Sequence, residues 1–438
     1  MKIKVVYNWI GPAGPTDNNY LPNVLSFAQA FDENNHIPPQ WNADWTWQQF
    51  FSHGNDHFEI CPSIAISEND DSLFVFPVAL SWRNIIPTYY SKNLGILEAS
   101  RIPANVLNCI KHHNGYFVID FSGEGHGIRD VDFDHMHSYF THLKIPLSKI
   151  IYITGSSNST DLYAKYCSNR GVSAANRMNL VPYIRGTVHV VSKSISEPDY
   201  DSEIVPEKLF LSWNKRTRKH RFDIALLLEK HDLVGRSYLS FHKNDEETGI
   251  GFKETYRNIG GTTDSTLDIT PEIIDSFVSK LPLVLDGETN LYKILFTNLE
   301  VTTRPFYQNS LISLITETHF YEEHTCLTEK SFKQAKEKHP FIIVGGAGSL
   351  KYLRELGFKT FSDFWDESYD DCKDPVERMQ RIDSLIKNIG EWTPEQLLDF
   401  RRKVKPIVEH NFKVFDTEMV KNALRLSLSK INDIVTAA

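Results

Sequence analysis

No run in this chain approaches the roughly 18 consecutive apolar residues of a membrane span, and the opening residues Met1, Lys2, Ile3, Lys4 and Val5 enter a strand pattern at once, with no room for a leader. Its five cysteines, Cys61, Cys109, Cys167, Cys326 and Cys372, are odd in number, widely spaced and free of any Cys-x-x-Cys pair. That argues against a disulfide framework or structural zinc and fits a reducing compartment. Positive charge is not in excess: 47 Lys and Arg face 56 Asp and Glu, for a formal net charge of -9. A general attraction to nucleic acid or to an anionic membrane is thereby disfavoured, although a local basic cleft is compatible with an acidic whole. Internal repeats and low-complexity tracts are missing as well. The expectation is a cytoplasmic protein, in the host cytoplasm if the source is viral, with no membrane and no protein partner.

What is present is 41% hydrophobic and 24% charged residues over 438 positions, ordinary for a globular chain and too long for one core. Two domains of about 200 residues fit that length. The clearest break is at residues 194–207, polar, acidic and carrying Pro198 and Pro206, so the expected domains are 1–200 and 201–438. Before the break, strand patterns at 3–7, 72–76, 116–120 and 150–154 alternate with helical ones at 102–112 and 134–143. After it, strand patterns at 208–213, 310–316 and 341–344 alternate with helices over 218–231 and 330–338, and the tail from 394 to 434 is helical. Two successive βα series imply an α/β fold class: two doubly wound, Rossmann-like domains facing each other across a cleft.

Residues 315–345 are the most informative stretch. A strand ends in Glu317, a polar loop with Tyr321 follows, Thr328, Glu329 and Lys330 open a helix, and the apolar run from Phe341 to Val344 closes on Gly345, Gly346 and Gly348. A lysine in a first helical turn opposes the macrodipole, which suggests that a bound phosphate supplies the missing negative charge. The same residues also read as a plain capped helix, with Thr328 as N-cap, Glu329 favourably placed and Lys330 exposed.

The conjunction of Glu317, Tyr321, Thr328, Glu329, Lys330, Pro340 and Gly345 resembles the nucleotide-sugar-binding segment of GT-B glycosyltransferases, in particular the fucosyltransferase-like and exostosin-like branches and their bacteriophage relatives. The chain departs from that pattern at Thr318 and His319, where the family often has Asn-Ser, and at His339, where it has a small residue. The resemblance implies a metal-independent, inverting transfer of a hexosyl or pentosyl group from a nucleotide-diphosphate sugar to a hydroxyl acceptor, with no further cofactor. It also implies that Glu317 accepts hydrogen bonds from the ribose and that the C-terminal helices cross back over both domains. The acceptor stays open among a glycan, a small molecule and modified DNA.

A second candidate is the turn after the strand pattern at 208–213, where Lys215, Arg216, Arg218, Lys219 and Arg221 lead into an amphipathic helix with Ile224, Leu227 and Leu228. Five cations at a strand–helix junction repel one another unless counter-ions or a ligand neutralise them. A diphosphate would do so, and a solvated basic helix start is the alternative. By the resemblance, Asn214, Arg216 and Arg221 contact the nucleotide phosphates.

In the first half, the strand at 116–120 runs out at Asp120 into a loop with Gly123, Glu124, Gly125, His126 and Gly127. Ligands of open α/β sheets lie outside the carboxyl ends of the strands, and an acceptor hydroxyl needs a base. Glu124 is the leading candidate for that base, followed by Asp120 and His126. Asn8 and Trp9, just past the first strand, are candidate acceptor contacts, while Trp41, Trp45 and Trp47 read as a small core. The alternation of Asp130, Asp132 and Asp134 before His135 and His137 is chemically able to hold a divalent ion and equally able to cap a helix, and no metal site is assigned. The acidic stretch at 363–371 reads as structural. Two further function classes stay in view: a phage DNA-base (hydroxymethylpyrimidine) glycosyltransferase and a non-catalytic nucleotide-sugar-binding protein. The former would need a basic cleft in the first domain, where no cluster matches 215–221.

Overall fold

The computed structural model describes residues 3–7, 58–62, 65–79, 103–122, 128–183, 197–214, 218–243, 251–252, 254, 256, 266–285 and 299–437. Asn8, Trp9, Glu124, His126, Lys215, Arg216 and the tryptophans Trp41, Trp45 and Trp47 lie outside the described residues, and of Asp120 the backbone alone is described. The chain divides into two compact units, Met1–Gly186 with Val420–Ala438, and Thr187–Met419. This division falls ahead of the acidic break at 194–207, and the end of the chain returns to the first unit.

The first unit holds a six-stranded sheet, all parallel, in the order β2-β1-β3-β4-β5-β6. Its strands are β1 Ile3–Tyr7, β2 Phe58–Pro62, β3 Phe74–Ala79, β4 Gly115–Phe121, β5 Ile150–Thr154 and β6 Asn179–Pro182. Parallel strands covered on both faces are written as continuous apolar runs, and β5, buried at every position, is one. The short β2 and β6 carry Glu59, Pro62, Asn179 and Pro182, and such polar and proline content hides a strand from a pattern search. Helices α1 Ala104–His112, α2 Asp130–His142 and α3 Ser159–Asn169 belong to this unit, and Val106, Phe117, Phe133, Phe140 and Tyr152 share its core. Strand order reverses at β1, so the switch point of this sheet is at the carboxyl ends of β1 and β3.

The acidic alternation before His137 starts α2. Asp132 pairs with Arg129 at 3.0 Å, Asp134 with Arg170 at 2.6 Å, and His137 Nε2 meets the Tyr163 hydroxyl at 2.7 Å. Among the described residues, no group of three or more His, Cys, Asp and Glu is placed to hold a metal ion.

The second unit holds a four-stranded parallel sheet in the order β10-β9-β7-β8, from β7 Lys208–Trp213, β8 Ser237–Ser240, β9 Ser310–Thr316 and β10 Phe341–Val344. Its helices include α4 Lys219–Lys230, α5 Pro271–Ser279, α6 Leu299–Gln308, α7 Glu329–Lys336, α8 Ser349–Glu355, α9 Pro375–Gly390 and α10 Pro394–Lys413. A π-helical turn, Val414–Glu418, leads from α10 into the last helix, α11 Met419–Thr436. Within the first unit, α11 docks through Ser427 Oγ on the Pro182 carbonyl at 2.9 Å, and the Tyr116 hydroxyl reaches the Ile434 carbonyl at 3.4 Å. Among the described residues no helix is long and apolar enough to cross a membrane.

The structure corrects the reading of α4 as amphipathic. All nine residues from His220 to Leu228 are buried, the charged Arg221 and Asp223 included. Rings of Phe241, Phe252 and Tyr256 close on Phe222 at centroid distances of 5.1, 4.4 and 5.4 Å. Those aromatics come from distant segments, so helical periodicity gives no sign of them. Phe222→Ala should therefore cost about 3–5 kcal/mol, read as a lowered urea midpoint of the second unit.

Candidate functional site

In the second sheet the chain leaves β7 through α4 to β8 on one side and then returns to β9 on the other. The carboxyl ends of β7 and β9 are thus the switch point, where an open α/β sheet leaves a crevice. Asn214, just past β7, is buried; its Nδ2 donates to Ser212 Oγ at 3.0 Å and its Oδ1 accepts from Thr316 Oγ1 at 2.8 Å. The two strand ends are thereby tied side chain to side chain.

The start of α4 opens on the same place. Its first turn is Lys219, His220 and Arg221, with no acidic residue. Arg221 is buried, with Nη2 3.4 Å from the Thr316 carbonyl oxygen. His220 Nε2 donates to the Glu317 carbonyl at 2.7 Å, and the ring stacks on Phe320 at 5.6 Å. Burial, reinforced by the Arg221 charge, pushes His220 down to about 3, so it is neutral at ordinary pH. Lys219 Nζ lies 3.0 Å from both Asp223 Oδ2 and the Tyr321 hydroxyl.

The loop from β9 to α7 carries the other candidates. Glu317 is fully buried, and its carboxylate accepts four hydrogen bonds: Thr328 N at 3.0 Å and Ser331 Oγ at 2.6 Å on Oε1, Thr318 N at 3.1 Å and Thr328 Oγ1 at 2.6 Å on Oε2. Two carboxylates of the protein thus stand at the start of α7, the buried Glu317 and Glu329 of the first turn. With both oxygens engaged by the protein, Glu317 is placed as a brace of the loop. Thr328 is the N-cap of α7, as the capping alternative had it, with its side chain accepting from Lys330 N. Lys330 Nζ sits 2.9 Å from Thr328 Oγ1 and 3.3 Å from Glu329 Oε1, and the Glu329 side chain is 47% exposed.

The structure thus gathers Asn214, Arg221, Glu317, Tyr321, Thr328, Glu329 and Lys330 around one switch point. It also adds residues that the sequence did not single out. Asp223 is buried beneath Tyr321, its carboxyl raised by burial against the opposing charge of Lys219. Arg378 of α9 donates to the Phe320 carbonyl and to the Cys372 carbonyl at 2.7 Å, with its guanidinium 4.4 Å from the Phe320 ring centroid. The Lys219/Asp223 spacing along one helix was a readable signal; Arg378, far along the chain, offered none. Gly346 admits no side chain, because a Cβ there would stand 2.8 Å from the His324 carbonyl oxygen. His339, a departure from the family pattern, fits between Ser310 Oγ at 3.1 Å and Ser313 Oγ at 2.9 Å, and burial pushes it down to about 4. In the 363–371 stretch, Asp370 accepts from Leu350 N and Lys351 N, each at 2.9 Å, at the start of α8.

No family model matches this chain, and no curated protein matches it. Among solved structures it is similar to the trehalose-6-phosphate synthase OtsA, at 11% identity over 99% of each chain with a TM-score of 0.44. It is also similar to a glycosyltransferase from Rickettsia africae, at 12% identity over 100% of each chain with a TM-score of 0.39. A third is T4 phage BGT in complex with its UDP-glucose substrate, at 9% identity over 99% of each chain with a TM-score of 0.38. At these values the fold assignment rests on the two sheets themselves: the class is α/β, with two Rossmann-like units in succession.

Two outcomes follow for stability. Glu317→Ala leaves the buried Ser331 hydroxyl and the part-buried donors of Thr328 without their acceptor and should cost about 2–3 kcal/mol, read in the urea midpoint, with Glu317→Gln intermediate. Below the free histidine value of 6.5, the unfolded chain takes up protons that buried His220 and His339 refuse until about 3 and about 4. Stability should therefore be steady above that value and fall as pH drops from there toward 4. Urea titrations across this window check it, and His339→Gln should flatten part of the slope.

Proposed function

We propose that the second unit binds the diphosphate of a nucleotide sugar at the switch point between β7 and β9, and that the protein is a glycosyltransferase using that donor. The start of α4 carries the reading. It places Lys219 and Arg221 where the macrodipole already favours an anion, with no acid in the first turn and the Arg221 side chain buried against the end of β9. A diphosphate would add negative charge beside a helix start that carries cations and no acid in its first turn. The resemblance of residues 317–345 to the nucleotide-sugar segment of GT-B glycosyltransferases supports the same ligand.

In this reading Asn214, Arg216 and Arg221 hold the phosphates from the α4 side, and Lys330 reaches them from α7. Tyr321 and Thr328 frame the loop. The ribose falls to Glu329, whose carboxylate is half exposed, while Glu317, with both oxygens engaged, braces the loop. In the first unit the acceptor belongs near Asn8 and Trp9, with Glu124, Asp120 or His126 as the base that takes the hydroxyl proton. By the resemblance, the transfer is read as metal-independent and inverting.

Arg216→Ala and Lys330→Ala should each weaken UDP or GDP binding by about tenfold or more, the loss of one charge-assisted hydrogen bond, with the urea midpoint unchanged. Calorimetric titration measures it, and parental affinity in both variants would sink the donor site. Slow hydrolysis of a sugar nucleotide by the purified protein separates an enzyme from a binding protein.

A further inference from the structure

We propose that Asp223 is a positioning residue of the diphosphate site, acting through Lys219 and Tyr321; the proposal rests on the donor-site reading above. Asp223 is fully buried on α4. Its Oδ2 receives Lys219 Nζ at 3.0 Å and the Tyr321 hydroxyl at 2.5 Å, and its Oδ1 receives the Tyr256 hydroxyl at 3.1 Å. Lys219 Nζ donates in turn to the Tyr321 hydroxyl oxygen at 3.0 Å and stands 5.0 Å from the centre of that ring. One carboxylate thus joins the lysine that opens α4 to the tyrosine of the loop after β9, the two elements that flank the switch point.

Stability alone does not account for this arrangement. A buried ion pair is commonly no better than apolar side chains of the same volume. Along a helix the favourable order at i and i+4 is acid before base; here Lys219 comes first and stands in the first turn, against the macrodipole. Neither choice is the one that stability alone favours, and both hold an ammonium group in one place at the mouth of α4. A lysine immobilised before the ligand arrives loses little further rotamer freedom when it binds, and the same holds for Tyr321. Arg378 completes the support by fixing the carbonyl of Phe320, the residue before Tyr321.

The test is calorimetric titration of the full chain with UDP and with GDP, on the parent, Asp223→Asn, Lys219→Met and the double variant, with urea midpoints measured alongside. Each single variant should raise Kd by about tenfold, and the double variant should raise it no further, because residues acting as one unit are not additive. Independent effects that multiply in the double variant overturn the proposal. So does an Asp223→Asn protein with a lowered midpoint and parental Kd. Should Asp223→Asn fail to fold, Tyr321→Phe removes only the hydroxyl and must raise Kd by about threefold or more; parental affinity there overturns the proposal as well. If Arg216→Ala and Lys330→Ala weaken binding while Asp223→Asn does not, the donor site stands and the positioning role alone falls. If the parent binds neither UDP nor GDP, the donor-site reading falls and this one with it.

Discussion

The buried carboxylate of Glu317 organises the whole region around the second switch point. It ends β9, caps the start of α7 through Thr328 N and Ser331 Oγ, and pins the intervening loop through Thr318 N. A full charge taken out of water is tolerated only when its lone pairs are filled, and here both oxygens accept two hydrogen bonds each.

Two sets of charged residues differ in depth here. Glu317 and Asp223 are buried and serve the scaffold, one through α7 and the other through Lys219 and Tyr321. Glu329 and Lys330, on the first turn of α7, are partly exposed and pair with each other at 3.3 Å at the surface of that scaffold. His220 belongs with the buried set. Kept neutral, it can donate to the Glu317 carbonyl without adding a further charge beside Arg221.

The same economy of charge explains the odd residues of the second unit. His339 stands where a small residue would suit a tight turn, yet it fills the space between Ser310 and Ser313 and bonds both. Asp370, part of the acidic stretch that reads as structural, holds the start of α8 with two backbone hydrogen bonds. Gly346 shows the opposite case, a position where the backbone of His324 and Thr325 lies too close for any Cβ.

The βα alternation, the strands β4, β5, β7, β9 and β10, and the helix that begins after Thr328 were legible in the sequence. Buried parallel strands are continuous apolar runs, and helix starts carry local capping chemistry, so both are written within a few residues. Only the tertiary structure decided what those residues face. Whether Glu317 meets a ribose or its own helix, whether α4 has a solvent side, and which acid holds Lys219 depend on groups that are distant in sequence and adjacent in space. Asn214 and Thr316 lie 102 positions apart and share a hydrogen bond of 2.8 Å. Periodicity reports a residue's near neighbours along the chain, whereas burial, hydrogen-bond saturation and charge balance are set by contacts that exist only once the sheet has formed.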